Sequence, residues 1–202
     1  MTEQEPIQLT IRLLTLPEIR TLYKERMVHD FPADELKPLT MIERAVKRGE
    51  YRCYGGLEGR AIAAYAFFVT IREESRTIWL FDYLAVDEAR RDRGIGSAFL
   101  QVLGRDVLPE AEMVLLEIDD PAFAEGSERE HRLRREAFYL RNGLIPTGVT
   151  ANVFHVDFSI LEVPVHGTHA QEACRAGYEA IYRRLLPPLL FRRNIHINGH
   201  HT

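Results

Sequence analysis

The chain has 202 residues, enough for one sizeable domain, and 46% of them are hydrophobic against 28% charged. A formal net charge of −4 leaves no global attraction to nucleic acid or to anionic membranes. Cys53 and Cys174 match neither a metal-site spacing nor a disulfide framework, and no apolar run reaches the roughly 18 residues of a membrane span. The opening "MTEQEPIQLT" lacks the basic start and apolar core of a signal peptide, so a cytoplasmic setting is expected.

Alternation over "IQLTIRLLT" predicts a first strand at Ile7–Thr15. Pro17 suits a first helical turn, and Ile19, Leu22, Tyr23 and Met27 then fall on one helix face. Two prolines in "HDFPADELKPLT" break that helix, and "MIERAVKRG" predicts a second, ending at Gly49. Three strands follow in "EYRCYGGLEGR", "AIAAYAFFVTI" and "TIWLFDYLAV". Helical spacing of Phe99, Leu100, Leu103 and Val107 comes next, then a strand in "EMVLLEIDDP" stopped by Pro121. "SEREHRLRREAFYLRNG" reads as a charged helix whose apolar seam is Leu133, Ala137 and Leu140. One or two strands occupy "LIPTGVTANVFHVDFSILEV", and the tail holds one more helix, stopped at Pro187-Pro188. The order predicts an α/β (α+β) domain over residues 1–162, a single mixed and mostly antiparallel sheet flanked by helices. Residues 163–202 form a helical extension, packed on the domain or on a second subunit in a homodimer.

The segment "RRDRGIGSAFL" joins a strand to a helix. Orphan N–H groups at a helix start, with the positive end of its dipole, favour an anion. Gly94 and Gly96 would let backbone approach phosphate oxygens closely, Arg90, Arg91 and Arg93 add charge, and Ser97 adds a hydroxyl. The alternative is an ordinary helix start with solvated arginines. No Gly-Lys-Ser/Thr follows, which excludes a Walker A loop, and no third glycine completes a dinucleotide fingerprint.

"LAVDEARRDRGIGSAFL" resembles the acyl-CoA-binding motif of the GNAT acetyltransferase superfamily, Arg/Gln-x-x-Gly-x-Gly/Ala after an apolar strand; Arg91-Asp92-Arg93-Gly94-Ile95-Gly96 fits it position by position. Downstream, "EAFYLRNGLIPTG" resembles the superfamily's Ala-x-x-Phe-Tyr-x-x-x-Gly-Phe segment, with its alanine directly before Phe138 and Leu144 in place of the usual phenylalanine. The resemblance covers residues 7 to 160. It implies a GNAT-like fold and acetyl-CoA as co-substrate, without a metal. The CoA pyrophosphate would lie on the N–H groups of Arg91, Asp92, Arg93, Gly94, Ile95, Gly96 and Ser97. Backbone around Leu84, Ala85 and Val86 would pair with the pantetheine arm like an added strand. Many relatives carry Gly where this chain has Asp92, which brings a carboxylate to the pyrophosphate.

The expected reaction is transfer of an acetyl group to a primary amine by direct attack in a ternary complex, the alternative being a non-catalytic acyl-CoA-binding or sensing domain. Asp82 is the one charged side chain in "TIWLFDYLAV", and burial would suit it to act as the base; the plainer reading is a carboxylate satisfied by backbone or arginine hydrogen bonds. Glu117 on the "VLLEI" strand is the rival base, with Asp119 nearer the strand end. By resemblance Tyr139 is the general acid at the CoA sulfur, and it lies away from the seam of its helix. Neither cysteine sits in a Cys–His setting that would support an acyl-enzyme. His155 is a candidate lining residue or a surface one, and His200 and His201 lack partner spacing for a metal. Arg132, Arg134 and Arg135 read as a solvated face or as partners of CoA's 3′-phosphate. The acceptor, a small-molecule or protein amine, would meet residues Met27 to Leu39, where His29, Asp30, Asp34 and Glu35 would make an acidic rim favouring a cation. Nucleic acid and membrane are not expected partners.

Overall fold

A computed structural model describes residues 7–33, 35–73 and 76–199; Asp34, His200 and His201 lie outside the described residues. The first strand is shorter than the alternation suggests, β1 covering Thr10–Leu13. Helix α1 (Leu16–Leu22) starts at a capping box: Thr15 accepts from the Glu18 N–H, and the Glu18 carboxylate accepts from the Thr15 N–H at 2.8 Å. Thr15→Ala is expected to cost about 1 kcal/mol, read as a fall of roughly 2–4 °C in melting temperature.

The Arg12 guanidinium and the Thr15 backbone hold the Glu18 carboxyl down from 4.5 to about 2. A depressed folded pKa supplies stability above the unfolded value and loses it as pH falls through the folded one. The melting-temperature gap between the parent and Glu18→Gln should therefore be full above pH 5 and close towards pH 2.

A π-helical turn over Tyr23–Met27 carries α1 into α2 (Val28–Asp30), and the extended backbone of Phe31 before Pro32 ends the run. Helix α3 (Leu39–Lys47) closes as a Schellman motif: Gly49, at φ 72, donates to Val46 O, and Glu50 donates to Ala45 O. Then come β2 (Tyr51–Glu58), β3 (Ala61–Glu73) and β4 (Arg76–Val86). Ala63 to Ile71 are buried in an unbroken run, as expected of a strand covered on both faces. Helix α4 (Ile95–Asp106) buries Ile95, Phe99, Leu100 and Leu103. After it stand β5 (Met113–Asp119), α5 (Gly126–Arg141), β6 (Ile145–Val153) and β7 (Val156–Val163). The tail forms α6 (Gln171–Leu185), α7 (Pro188–Asn194, with proline in its first turn) and an eighth strand, β8 (Ile195–Gly199).

Among the described residues the strands form one sheet in the order β1-β2-β3-β4-β5-β7-β6-β8. Strands β4 and β5 are parallel, Ile78 facing Met113 and Phe81 facing Leu116. The pairs β1–β2, β2–β3, β5–β7, β6–β7 and β6–β8 are antiparallel. The architecture is the mixed, helix-flanked sheet expected from the element order.

The chain divides into two compact units. The first holds residues up to Val69 with Asp82–Leu103, and therefore β1, α1–α3, β2 and the C-terminal end of β4. The second holds Thr70–Phe81 and the residues from Gly104 onward. In it, α6 packs on β5, β6 and β8. Gly177 of α6 makes that approach possible, since a Cβ there would stand 2.6 Å from Met113 Sδ. No described helix is long and apolar enough to cross a membrane.

Candidate functional site

The strand-to-helix segment in the first unit is a tight turn. Asp87 caps a short 3-10 helix over Glu88–Arg90, its carboxylate accepting from the Ala89 N–H at 3.0 Å. Asp92 and Gly94 both take the left-handed conformation, at φ 61 and 81. Aspartate tolerates that region better than most residues, and glycine enters it without penalty. Gly96 does not need it, because it already lies in α4. The first bond of the α4 ladder runs from Ala98 N–H to Gly94 O at 3.0 Å. The N–H groups of Ile95, Gly96 and Ser97 precede that ladder and lead the helix. Arg91 differs from its neighbours: its N–H donates to Glu88 O at 3.3 Å, and its guanidinium to Asp30 Oδ1 at 2.9 Å and to Val86 O at 3.3 Å. Arg91 is thus committed to bracing the turn, and its N–H is spent there. Leu84, Ala85 and Val86 end β4, half-buried.

Asp30 does not form an acidic rim. Its side chain is only 10% exposed, and it accepts from both Arg91 and the Tyr65 hydroxyl, the latter at 2.7 Å. Burial and that carboxylate push the Tyr65 phenol up. Arg26 of the π turn stacks its guanidinium on the Tyr65 ring, 5.2 Å from the centroid, and donates to Ile62 O at 2.8 Å.

Asp82, still within the first unit, is 11% exposed and held by hydrogen bonds, though from a lysine and a tyrosine rather than from backbone or arginine. Oδ1 accepts from Lys37 Nζ at 2.5 Å, and Oδ2 accepts a short bond from the Tyr51 hydroxyl. Lys37 Nζ also lies 5.4 Å from the centroid of the Tyr83 ring. Burial and the Asp82 charge push the Tyr51 phenol well up and keep it a donor; they raise Tyr83 to about 12 and also push the Cys53 thiol up. Lys37 and Tyr51 were invisible as site residues in sequence. One sits in a proline-bounded loop and the other opens a strand, and neither belongs to a motif.

In the second unit, Glu117 Oε1 accepts from the hydroxyls of Tyr178 and Tyr182, the latter at 2.5 Å, so that β5 is tied to α6. Burial and the Glu117 charge push the Tyr178 phenol well up. Asp119 takes an ion pair from Arg135 at 3.3 Å. Arg132 is not a solvated residue: it donates to Asp120 O and to Glu128, both at 3.0 Å, and its side chain is 19% exposed.

Tyr139 requires a correction. The seam expected from Leu133, Ala137 and Leu140 is exposed, and Tyr139 is the buried side chain of α5, at 3% exposure. A helix this charged buries little, and the side chain it does bury is the tyrosine rather than its scattered leucines. His155 is exposed in a turn. With Phe154 it forms the two-residue tip of the β6–β7 hairpin, both at positive φ, in the manner of a type I′ turn. Unanticipated was a buried cluster after β7: the Glu162 carboxylate accepts from the His169 ring and, at 3.1 Å, from the His169 N–H, with Cys174 Sγ at 3.9 Å. Burial and Glu162 raise that thiol to about 12, the opposite of nucleophilic activation. Both cysteines are free and buried. Among the described residues no group of three or more His, Cys, Asp or Glu is arranged to hold a metal.

The sequence matches no protein-family model and no curated protein. Solved structures do match the fold. A GNAT-family protein of Bacteroides thetaiotaomicron aligns with a TM-score of 0.65 at 18% identity, covering 87% of this chain and 95% of its own. The ribosomal-protein-S18-alanine N-acetyltransferase of Escherichia coli aligns with a TM-score of 0.57 at 18% identity, covering 80% and 97%. An acetyltransferase of Bacillus subtilis, solved with CoA, aligns at 0.50 and 14% identity, covering 77% and 98%. The strand order, the parallel β4–β5 pairing and these likenesses lead to one conclusion: the chain has the fold of the GNAT acetyltransferases.

Proposed function

We propose that the protein is an acyl-CoA-dependent N-acyltransferase that moves an acetyl group from acetyl-CoA to a primary amine. The observation that carries this reading is the turn at residues 91–94, which sets the N–H groups of Ile95, Gly96 and Ser97 at the head of α4 on the fold of known acetyltransferases. Three aligned donors and a helix dipole suit a pyrophosphate. The end of β4, at Leu84 to Val86, is suited to pair with the amides of the pantetheine arm.

In the reaction the neutral amine nitrogen attacks the thioester carbonyl carbon, the C–S bond breaks, the nitrogen gives up one proton to solvent, and CoA leaves as a thiolate that takes up a proton from a donor which solvent then reprotonates. Tyr139 is the proposed donor of that proton. Asp82, two residues before Leu84 on the same strand, is the proposed carboxylate facing the acceptor. Glu117, spent on two tyrosine hydroxyls, serves to anchor α6. The test is release of CoA thiol on mixing the full chain with acetyl-CoA and a panel of primary amines. Thiol release that needs the amine supports the reading. Acetyl-CoA binding with no release for any amine leaves an acyl-CoA-binding domain instead.

Asp92 supplies a further check. Its left-handed backbone suits glycine, and its carboxylate borders the proposed pyrophosphate site. Asp92→Gly should tighten acetyl-CoA binding by up to about 1 kcal/mol, roughly fivefold, at low salt. The gain should fade at high salt, where an exposed charge is screened; calorimetric titration at two salt concentrations reads both.

A further inference from the structure

We propose that Lys37 is a resident stand-in for the acceptor: its ammonium fills a socket for a primary alkylammonium ion, made by Asp82, Tyr51 and the ring of Tyr83, and the ligand takes that place when the Lys37 side chain withdraws. The inference rests on the acyltransferase reading for what the ligand does next, and on geometry alone for the socket.

Asp82 is a carboxylate on a stretch of strand, Ile78 to Val86, that is otherwise uncharged, and it is 11% exposed, a costly place for a charge without a cation. A buried ion pair of this kind is weak evidence for a purely stabilising role, because apolar residues of the same size serve stability as well. The socket is complete in the way ammonium recognition requires. Tyr51 donates to Oδ2 and turns Oδ1 outward, Oδ1 meets the ammonium at 2.5 Å, and the Tyr83 ring offers its face at 5.4 Å.

The occupant arrives on a flexible stem from an irregular stretch between α2 and α3. The backbone of that stretch is held independently of the side chain: Lys37 N–H donates to the Tyr83 hydroxyl at 2.8 Å, the Tyr83 hydroxyl donates to Glu35 O at 2.9 Å, and the Tyr23 hydroxyl donates to Lys37 O at 3.1 Å. The side chain can leave without the loop being released. Its four-carbon ammonium stem has the shape of an n-alkylamine. Asp82 also stands two residues, about 7 Å along a strand, from Leu84, where the pantetheine arm is proposed to begin pairing. An ammonium ion in the socket is therefore near the acyl group rather than at a remote surface, and it gives up one proton to the Asp82 carboxylate before its nitrogen attacks.

The test uses the full chain with Lys37→Ala, which removes the stem and leaves the carboxylate. Its melting temperature is compared in n-butylammonium chloride, tetramethylammonium chloride, sodium chloride and n-butanol at matched concentrations. The expected result is that Lys37→Ala melts below the parent, that n-butylammonium alone recovers several degrees, and that the recovery vanishes in Lys37→Ala/Asp82→Asn. Equal responses to n-butylammonium and sodium, or a response that survives Asp82→Asn, overturns the socket. Should Lys37→Ala fail to fold, refolding yield in n-butylammonium against tetramethylammonium is read with the same opposed outcomes. Acetyl transfer to n-butylamine is then followed in the same variant, where a KM at least tenfold below the parent's is expected. Recovery without any transfer overturns the acceptor role and the function proposed above while the socket stands; transfer without recovery overturns the socket alone.

Discussion

Gly56→Ala destabilises the protein by about 3 kcal/mol, a fall of roughly 6–12 °C in melting temperature, although it adds one methyl group. A Cβ at Gly56 of β2 would stand 2.5 Å from Cδ2 and 2.7 Å from Cε2 of Phe99. Phe99 is fully buried and rigid, so the ring cannot swing aside as the end of a leucine or methionine would. The neighbouring Gly55 gives an internal control. There the nearest atom is Leu14 Cδ2 at 2.8 Å, the far end of a flexible side chain, and Gly55→Ala should cost about 1 kcal/mol. Phe99 lies one turn into α4, whose start carries the proposed pyrophosphate donors, so the displaced ring also tilts the anion site. Acetyl-CoA affinity should fall with stability in Gly56→Ala and hold in Gly55→Ala. Gly56→Ala/Phe99→Leu, with a branched side chain that can turn away, should recover part of the lost stability. Thermal melts of the four proteins, with calorimetric titration of acetyl-CoA, check the ordering.

Tyr139→Phe is expected to lower amine-dependent turnover by about 10²–10⁴-fold, the usual worth of a general acid, with a melting temperature within a few degrees of the parent. The ring, buried at 3% exposure, is what packs α5, and phenylalanine keeps it. Edge-on contact with Phe138, at 5.3 Å between centroids, survives as well. Only the hydroxyl goes. A loss confined to kcat, with acetyl-CoA binding unchanged, identifies the hydroxyl as the proton donor to the thiolate. A fall in melting temperature that accounts for the lost activity makes Tyr139 a core tyrosine and nothing more. Acetyl-CoA analogues whose leaving thiol is more acidic supply a further readout, since they need the donor less and should narrow the gap between the two proteins.

Much of the architecture was readable because its signals are local. Pro17 announces α1, Gly49 ends α3, and Pro187-Pro188 stops α6. The left-handed turn at Asp92 and Gly94 lies where the Arg-x-x-Gly-x-Gly pattern sits. What failed was non-local. The α5 seam was assigned by counting leucines, whereas the side chain the helix buries is Tyr139, and which face a charged helix buries depends on its partner. The strand β8 carries no alternation strong enough to separate it from a basic tail, and it exists because β6 offers an edge from Val149 to Val153. Lys37 and Asp82 are 45 residues apart, and no spacing rule connects a loop lysine to a buried strand carboxylate. Asp30 looked like a rim acid because its neighbours are polar, and only folding brings Tyr65 and Arg91 to it. The motif that implies the co-substrate is contiguous in the chain, while the residues that would choose the acceptor are scattered.

The central claim is that the head of α4 binds the pyrophosphate of acyl-CoA, and the direct measurement is calorimetric titration of acetyl-CoA into the parent and into Gly96→Asp. Gly96 is half-buried at the helix start, so aspartate there adds a negative charge among the proposed phosphate donors and leaves the left-handed residues, Asp92 and Gly94, unchanged. Binding in the parent with at least a hundredfold loss in Gly96→Asp, at equal melting temperatures without ligand, is the predicted result. Equal affinities, or no heat in the parent at millimolar acetyl-CoA, would contradict the claim and leave the segment an ordinary helix start.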